Sequence, residues 1–186
     1  MAHKTLTTFI VVVWILIFPA NVLADKKESP DKVLAEGDRA PSFELADPSG
    51  AVVSFPAAAR NKPSVILFWA TWCPYCKALM PLLEDVRQEF SDVGVEVFAL
   101  NVWEDGDPVS RIHDGGFDFR LLLDADSVAD SYGVRGTPGL FVVNPEGMIV
   151  YRRRPGGDKT AAEIAVIWAD RTRYALRAAV AEAESE

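Results

Sequence analysis

Residues 64–76 have the sequence SVILFWATWCPYC, which joins a strand signal to a helix start. The first seven residues are an apolar run rich in β-branched and aromatic side chains, which predicts a strand buried on both faces. From Pro74 onward, apolar residues recur at spacings of three and four, which predicts a helix. The two cysteines of the chain, Cys73 and Cys76, therefore lie where a buried strand ends and a helix begins.

This junction favours an ionised thiol. The first turn of a helix has unpaired N–H groups and a partial positive charge. Cys73 is predicted at the N-cap, where its pKa is lowered, and Pro74 suits the first helical position. Cys76 lies one turn further on, close enough to form a disulfide with Cys73. We therefore expect Cys73 to be the attacking thiolate and Cys76 to be the resolving thiol.

The counts of cysteine and histidine exclude several other classes of site. Two cysteines and two histidines are too few for a four-cysteine zinc site or an iron–sulfur cluster. A disulfide between residues three positions apart would close a very small loop and add little stability. His113 lies in an irregular segment and is predicted to be solvated. We therefore interpret the cysteine pair as a redox dithiol and expect no metal and no other cofactor.

The remaining segments predict one mixed sheet covered by helices, which is an α/β fold. Residues 42–46 and 51–55 form a predicted hairpin, as do residues 140–143 and 148–152. The other predicted elements are a buried strand at 93–102, an irregular acidic stretch at 101–119, a short helix at 126–132 and a long helix from Thr160 to about residue 183, with Thr160 as its N-cap. The buried stripe of the long helix is predicted to comprise Ile164, Ile167, Trp168, Ala175 and Ala178.

Three motifs resemble the thioredoxin superfamily, in particular the exported thiol–disulfide oxidoreductases of the TlpA/ResA type. They are GDRAPSFEL at 37–45, FWATWCPYC at 68–76 and VRGTP at 134–138. The resemblance implies a thioredoxin-like fold over residues 37–184, with a central mixed sheet flanked by helices and an N-terminal β-hairpin. It also implies that Pro138 is cis and packs against the active-site sulfurs, and that the backbone of Thr137 pairs with the substrate chain. Trp72 is predicted to be a partly exposed platform for the substrate.

The resemblance implies a protein-disulfide reductase that acts on disulfide-containing protein substrates. Its electrons would come from a membrane thiol donor, and cytochrome c maturation is a common role in this branch. A disulfide oxidase or isomerase of the same fold is the alternative. A peroxiredoxin-type peroxidase fits less well, because Thr71 precedes Cys73 by two positions rather than three and the proline of that pattern is missing. A copper-delivery protein also fits less well, because it needs a wider cysteine spacing and a histidine after the motif.

Two positions depart from the family pattern. Leu67 and Leu79 occupy places where relatives have carboxylates that assist the resolving thiol. Cys76 is therefore expected in an apolar setting with a raised pKa. Glu84 and Glu96 are the remaining candidates for a proton acceptor, although the sequence does not place them near Cys76. The basic run at 152–154 is predicted to be a solvated cluster at the end of a strand.

The N-terminus has the features of an export signal. Lys4 precedes the apolar run FIVVVWILIF at 9–18, and small residues before position 25 predict cleavage after Ala24. Without cleavage, residues 1–24 would tether the protein to a membrane. Residues 25–36 are predicted to be a flexible lead-in. The domain is therefore expected in the periplasm or another extracytoplasmic compartment, where cysteines form disulfides.

The charge of the chain argues against one class of partner. Lysine and arginine total 19 and the acids total 27, which gives a formal net charge of −8. An acidic protein is poorly suited to bind a phosphate backbone, so we expect no nucleic-acid partner.

Overall fold

The computed structural model describes residues 34–183. Seven strands and four α-helices follow one another within this part of the chain. In chain order they are β1 (Phe43–Ala46), β2 (Val52–Phe55), β3 (Ser64–Trp69), α1 (Pro74–Glu89), β4 (Glu96–Asn101), α2 (Pro108–Asp114), β5 (Arg120–Leu122), α3 (Asp126–Ser131), β6 (Gly139–Val143), β7 (Ile149–Arg152) and α4 (Ala161–Ala183).

A five-stranded sheet with the order β5-β4-β3-β6-β7 forms the centre of the molecule. The pairs β3–β4 and β4–β5 are parallel, whereas β3–β6 and β6–β7 are antiparallel. Strands β1 and β2 form a separate antiparallel hairpin. The predicted mixed sheet with an N-terminal hairpin is thus confirmed. All six residues of β3 are buried, as expected for the central strand.

Alternate residues of β3 pack into two different layers. Val65, Leu67 and Trp69 belong to one apolar cluster with α1 and α4. Ile66 and Phe68 belong to a second cluster with the β1–β2 hairpin and α3. Because β3 is covered on both faces, the polar chemistry of the fold is confined to the ends of its strands.

The structure corrects two predictions outside the site. The stretch predicted as irregular contains α2, whose N-cap is Asp107, and the short strand β5 follows it. In α4, Ile167 and Ala178 are exposed rather than buried. The buried stripe instead follows spacings of three and four through Ile164, Ala165, Trp168, Ala169, Thr172, Ala175, Leu176 and Ala179. Thr160 caps α4 as predicted, because its hydroxyl accepts a hydrogen bond from the backbone N–H of Glu163 at 3.3 Å.

The predicted signal at 1–24 and most of the predicted lead-in lie outside the described residues. Leu34 is buried, so the packed part of the chain includes residues ahead of position 37. No helix within residues 34–183 is both long enough and apolar enough to span a membrane.

Candidate active site

The two cysteines lie at the carboxyl end of β3, as the sequence predicts. Cys73 is the N-cap residue of α1, and Pro74 occupies the first position of that helix. The backbone N–H of Cys76 donates a hydrogen bond of 3.1 Å to the Sγ of Cys73. Both cysteines are buried free thiols in this structure. The helix start thus directs one of its unpaired N–H groups at the sulfur of Cys73.

The surroundings of the two thiols shift their pKa values in opposite directions. Hydrogen bonding from the Cys76 side chain is the largest cause that lowers the pKa of Cys73, which falls to about 6. Burial is the largest cause that raises the pKa of Cys76. At neutral pH, Cys73 is therefore the thiolate and Cys76 the protonated thiol. These directions agree with the pKa shifts that the sequence predicts, whereas the attacking and resolving roles of the two cysteines stay predictions.

The loop at residues 137–138 faces the cysteines across the end of the sheet. The peptide bond between Thr137 and Pro138 is cis, and Pro138 is buried. Gly139 pairs with Phe68 in the antiparallel β3–β6 ladder, so β6 begins where β3 ends. The Thr137 hydroxyl has no well-aligned hydrogen-bond partner among the described residues, but it lies close enough to both sulfurs to lower the pKa of each.

Three aromatic side chains are exposed around the cysteines. Trp72, Tyr75 and Trp103 are 46%, 37% and 39% exposed, respectively. The indole N–H of Trp72 donates a hydrogen bond of 2.7 Å to the carbonyl oxygen of Trp103. Trp103 has a φ of 48°, a conformation that costs a bulky residue free energy, and its N–H donates to Asp126 at 2.8 Å. The sequence predicts the exposed position of Trp72 but not the contribution of Trp103.

Glu104 anchors the segment that leads into the cysteine motif. Its carboxylate accepts hydrogen bonds from the backbone N–H of Thr71 at 2.9 Å and from the Thr71 hydroxyl. It also accepts one from the Asn101 amide at 2.6 Å and one from the Gly106 N–H at 2.9 Å. Burial raises the pKa of Glu104, but these hydrogen bonds outweigh it and the pKa falls to about 2. Glu104 is therefore ionised at neutral pH, and all of its described contacts serve to hold the loop.

Neither of the predicted acid candidates lies beside Cys76. Glu96 pairs with Ser64 at the start of β3, roughly 15 Å along the strand from the end that carries the cysteines. Glu84 lies about 12 Å further along α1 than Cys76 and binds Arg87 and the backbone N–H of Asp118. Both carboxylates therefore serve local structure.

The resolving thiol is surrounded by apolar side chains. Leu67 and Leu79 are fully buried in the same cluster as Cys76. This arrangement agrees with the apolar setting and the raised pKa that the sequence predicts for Cys76.

The prediction of a solvated basic cluster at 152–154 is wrong for Arg153. Its guanidinium carbon lies 4.7 Å from the ring centroid of Trp168, because Arg153 directly follows β7, which contacts α4. The Trp168 ring in turn lies 6.2 Å from the ring of Tyr75, within the cysteine motif. Arg153 thus belongs to the surroundings of the active site. A charge run at the end of a strand carries no signal that would have indicated this position.

The described residues offer no site for a metal. Within residues 34–183, no three His, Cys, Asp or Glu side chains are grouped closely enough to hold a metal ion. His113 is exposed on α2, and its Nδ1 lies 3.1 Å from the Asp114 carboxylate.

A dithiol at the start of a helix, opposite a cis-proline loop, defines a thioredoxin-like redox protein. Residues 36–152 match the AhpC/TSA family. The chain is 35% identical over 132 residues to the thiol-disulfide oxidoreductase ResA of Bacillus subtilis, which covers 70% of this chain and 71% of that protein. The chain therefore belongs to the AhpC/TSA family of thioredoxin-like proteins, and it is a thiol–disulfide oxidoreductase.

Solved structures support the same assignment. The thioredoxin domain of a thiol-disulfide oxidoreductase from Bacteroides vulgatus is 25% identical with a TM-score of 0.58, and the match covers 73% of this chain and 99% of that domain. A secreted disulfide oxidoreductase of Mycobacterium tuberculosis, homologous to Escherichia coli DsbE, is 25% identical with a TM-score of 0.52. That match covers 67% of this chain and 92% of the other.

Proposed function

We propose that this chain is an exported protein-disulfide reductase in which Cys73 attacks the substrate and Cys76 resolves the intermediate. The observation that carries the proposal is the inequality of the two thiols. The pKa of Cys73 is lowered to about 6 at the helix start, whereas burial raises the pKa of Cys76. One cysteine is thus prepared to attack at neutral pH while the other stays protonated until it is needed.

The proposed reaction proceeds in two exchanges. The Cys73 thiolate attacks one sulfur of the substrate disulfide, which forms a mixed disulfide and expels the other substrate sulfur as a thiolate. Cys76 then loses its proton and attacks the Cys73 sulfur, which forms the Cys73–Cys76 disulfide and expels the second substrate thiolate. The substrate gains two electrons from the dithiol, which is oxidised, and its two thiolates take up the proton released by Cys76 and one proton from solvent. An external thiol donor, proposed to be a membrane protein, reduces the Cys73–Cys76 disulfide again.

The substrate is proposed to bind across the cysteines and the cis-proline loop. Thr137 lies just before β6, beyond the last pair of the β3–β6 ladder, so its backbone can pair with an extended substrate chain. Pro138 is buried and follows Thr137, and we propose it as the floor of the substrate site, with Trp72 as an exposed apolar surface for side chains next to the substrate disulfide. These groups recognise a polypeptide and leave its sequence largely free.

The pKa of Cys73 is lowered only modestly, which supports the reducing direction. A lowered pKa stabilises the reduced form and makes a dithiol more oxidising. The value of about 6 for Cys73 is closer to that of thioredoxin, about 7, than to that of a strongly oxidising superfamily member, about 3.5. A disulfide oxidase or isomerase remains the alternative. Cytochrome c maturation is the specific role that we propose within the reducing function, on the resemblance described above.

Trapping of mixed disulfides tests the assignment of the two cysteines. Cys76→Ser removes the resolving thiol, so this variant should accumulate mixed disulfides with insulin or another disulfide-containing protein. Cys73→Ser should trap few, because the raised pKa of the remaining thiol keeps it protonated. Wild-type protein should reduce insulin with dithiothreitol as the electron source. Equal trapping by both variants, or no reduction by the wild type, would overturn the proposal.

Export is tested separately on the full-length chain. The signal predicted at residues 1–24 should direct the protein out of the cytoplasm, as the secreted M. tuberculosis relative is described. The intact mass of the exported protein should correspond to a chain that begins at Asp25. A mass that includes residues 1–24 in a membrane fraction would favour the tethered form, and retention in the cytoplasm would contradict export.

A further inference from the structure

Arg153 is a cation that the thiol chemistry described above does not use. Among residues 34–183, no carboxylate lies within ion-pair distance of its guanidinium. Its side chain is partly buried, and burial is the largest cause that lowers its pKa. A partly desolvated charge without a counterion is costly, so neighbouring groups are expected to compensate for it.

Two contacts hold Arg153 in position, and a third contact fixes the ring on which it packs. Its backbone N–H donates a hydrogen bond of 2.8 Å to the carbonyl oxygen of Leu140, two residues after the cis proline. Its guanidinium packs on the Trp168 ring at 4.7 Å, a cation–π contact. The indole N–H of Trp168 donates to the carbonyl oxygen of Arg154 at 3.1 Å, which fixes the orientation of that ring. The charge is therefore held in one place rather than free in solvent.

This fixed charge lies beside the cysteine motif. The Trp168 ring that supports it contacts the ring of Tyr75, which stands between the two cysteines in the sequence. The titratable and charged groups that act on Arg153 are Tyr151 and Arg152 on β7 and the two cysteines at the start of α1. Arg171 on α4 and Glu36, ahead of β1, both act on Tyr151, and the Glu36 carboxylate accepts a hydrogen bond from the backbone N–H of Arg152 at 3.4 Å. Among the groups that act on Arg153, the two cysteines are the ones at which an anionic sulfur forms during thiol–disulfide exchange.

We propose that Arg153, held between Trp168 and the start of β6, is a positioning residue whose positive charge stabilises the anionic sulfur of the active site during thiol–disulfide exchange. The inference deepens the proposed function and rests on it. The hydrogen bond from Cys76 and the nearby Thr137 hydroxyl remain the main causes that lower the pKa of Cys73, so the effect of Arg153 is an increment on theirs. Removal of the charge should make the thiolate less stable and the reduction potential of the pair more negative.

The rate at which iodoacetamide alkylates Cys73 in the reduced protein tests this inference. Arg153→Met and Arg153→Gln both remove the charge, and the first keeps an apolar stem on Trp168. At pH 5, below the pKa of Cys73 of about 6, a rise of about half a pKa unit would slow alkylation about threefold. Both variants should show this slowing, with the midpoint of the pH profile displaced upward. Arg153→Lys keeps the charge and should restore most of the rate.

Arg154→Gln is the matched control, since it removes the same charge from the next residue, which is exposed. It should alkylate at the wild-type rate. An unchanged pH profile in the two neutral variants would overturn the inference, and so would Arg153→Lys behaving like Arg153→Met. A defect in Arg153→Gln but not in Arg153→Met would assign the residue to packing alone. Because alkylation reports the thiolate and not turnover, a wild type that fails to reduce insulin would overturn the proposed function without altering this result.

Discussion

Glu104 accepts hydrogen bonds from both the backbone N–H and the hydroxyl of Thr71, two residues before Cys73. The loop after β4 therefore holds the loop after β3, and the cysteine motif starts from a fixed point. The two strands are parallel, so their carboxyl ends meet at one edge of the sheet. With a pKa of about 2, Glu104 stays ionised at neutral pH. It therefore supports the loop and does not act as a proton acceptor.

The first prediction is that Glu104→Gln destabilises the fold and loosens the active-site loop. An amide cannot accept all of the hydrogen bonds that the carboxylate accepts, and the loss at this partly exposed site should be about 1–2 kcal/mol of unfolding free energy at pH 7. The pKa of Glu104 is depressed from 4.5 to about 2 in the folded state. Its stabilising contribution is therefore complete above pH 4.5 and is lost as the pH falls toward 2. Urea unfolding across this pH range measures it.

Asp105→Asn is the control for Glu104→Gln, because it removes an exposed carboxylate from the neighbouring position. This control should unfold like the wild type at every pH. If Glu104→Gln were equally stable, or if its deficit were the same at pH 2 and pH 7, the carboxylate would not anchor the loop as described.

The second prediction concerns which cysteine reacts first. The reduced protein treated briefly with iodoacetamide at pH 7 should be modified at Cys73, with a pH midpoint of about 6. Cys76 should react much more slowly than Cys73, because both side chains are buried but only the pKa of Cys76 is raised. Peptide mass spectrometry of the modified protein distinguishes the two sites. Modification of Cys76 ahead of Cys73 would reverse the assignment of roles.

The third prediction concerns the missing proton acceptor. Leu79 lies one turn after Cys76 on α1 and packs in the same cluster. Leu79→Glu should add a titrating group to the pH profile of insulin reduction, because a carboxylate there can accept the proton of Cys76. The wild-type rate should rise with pH and show no titration beyond that of the cysteines. Leu79→Gln introduces a side chain of the same shape as glutamate but without its charge, so it is the control for the disturbance of packing.

A wild-type profile that already contains a group titrating between about pH 6 and 8, and belonging to neither cysteine, would contradict the third prediction. Glu84 and Glu96 are too far from Cys76 to be that group directly, and Glu104 titrates at about 2. Such a result would therefore require a proton acceptor outside the described contacts of the site.

The parts of the fold that the sequence predicts well are those with strong apolar patterns. β3 is a continuous apolar run. In α4, a long stretch of apolar residues at helical spacing follows the N-cap residue Thr160. In contrast, α2 buries one residue, Ile112, so it has no apolar period to detect. Its Asp-Pro start was the available signal, because Asp107 accepts a hydrogen bond from the Ser110 N–H at 3.0 Å.

The cysteine pair could be predicted because one short segment encodes it. Glu104 and Trp103 could not be singled out in the same way, because their importance arises where the ends of two parallel strands meet. A carboxylate directly after the second strand was the only signal for Glu104. Arg153 depends on a contact between β7 and α4, and no local pattern fixes which of three successive arginines faces a tryptophan.

The reduction potential of the Cys73–Cys76 pair tests the central claim most directly. The protein should be equilibrated with defined ratios of oxidised and reduced glutathione or dithiothreitol, quenched in acid and measured by mass. We predict a potential between that of thioredoxin, about −270 mV, and about −200 mV, which suits a reductant of protein disulfides. A potential near about −120 mV, the range of strong protein oxidants, would contradict the reducing function.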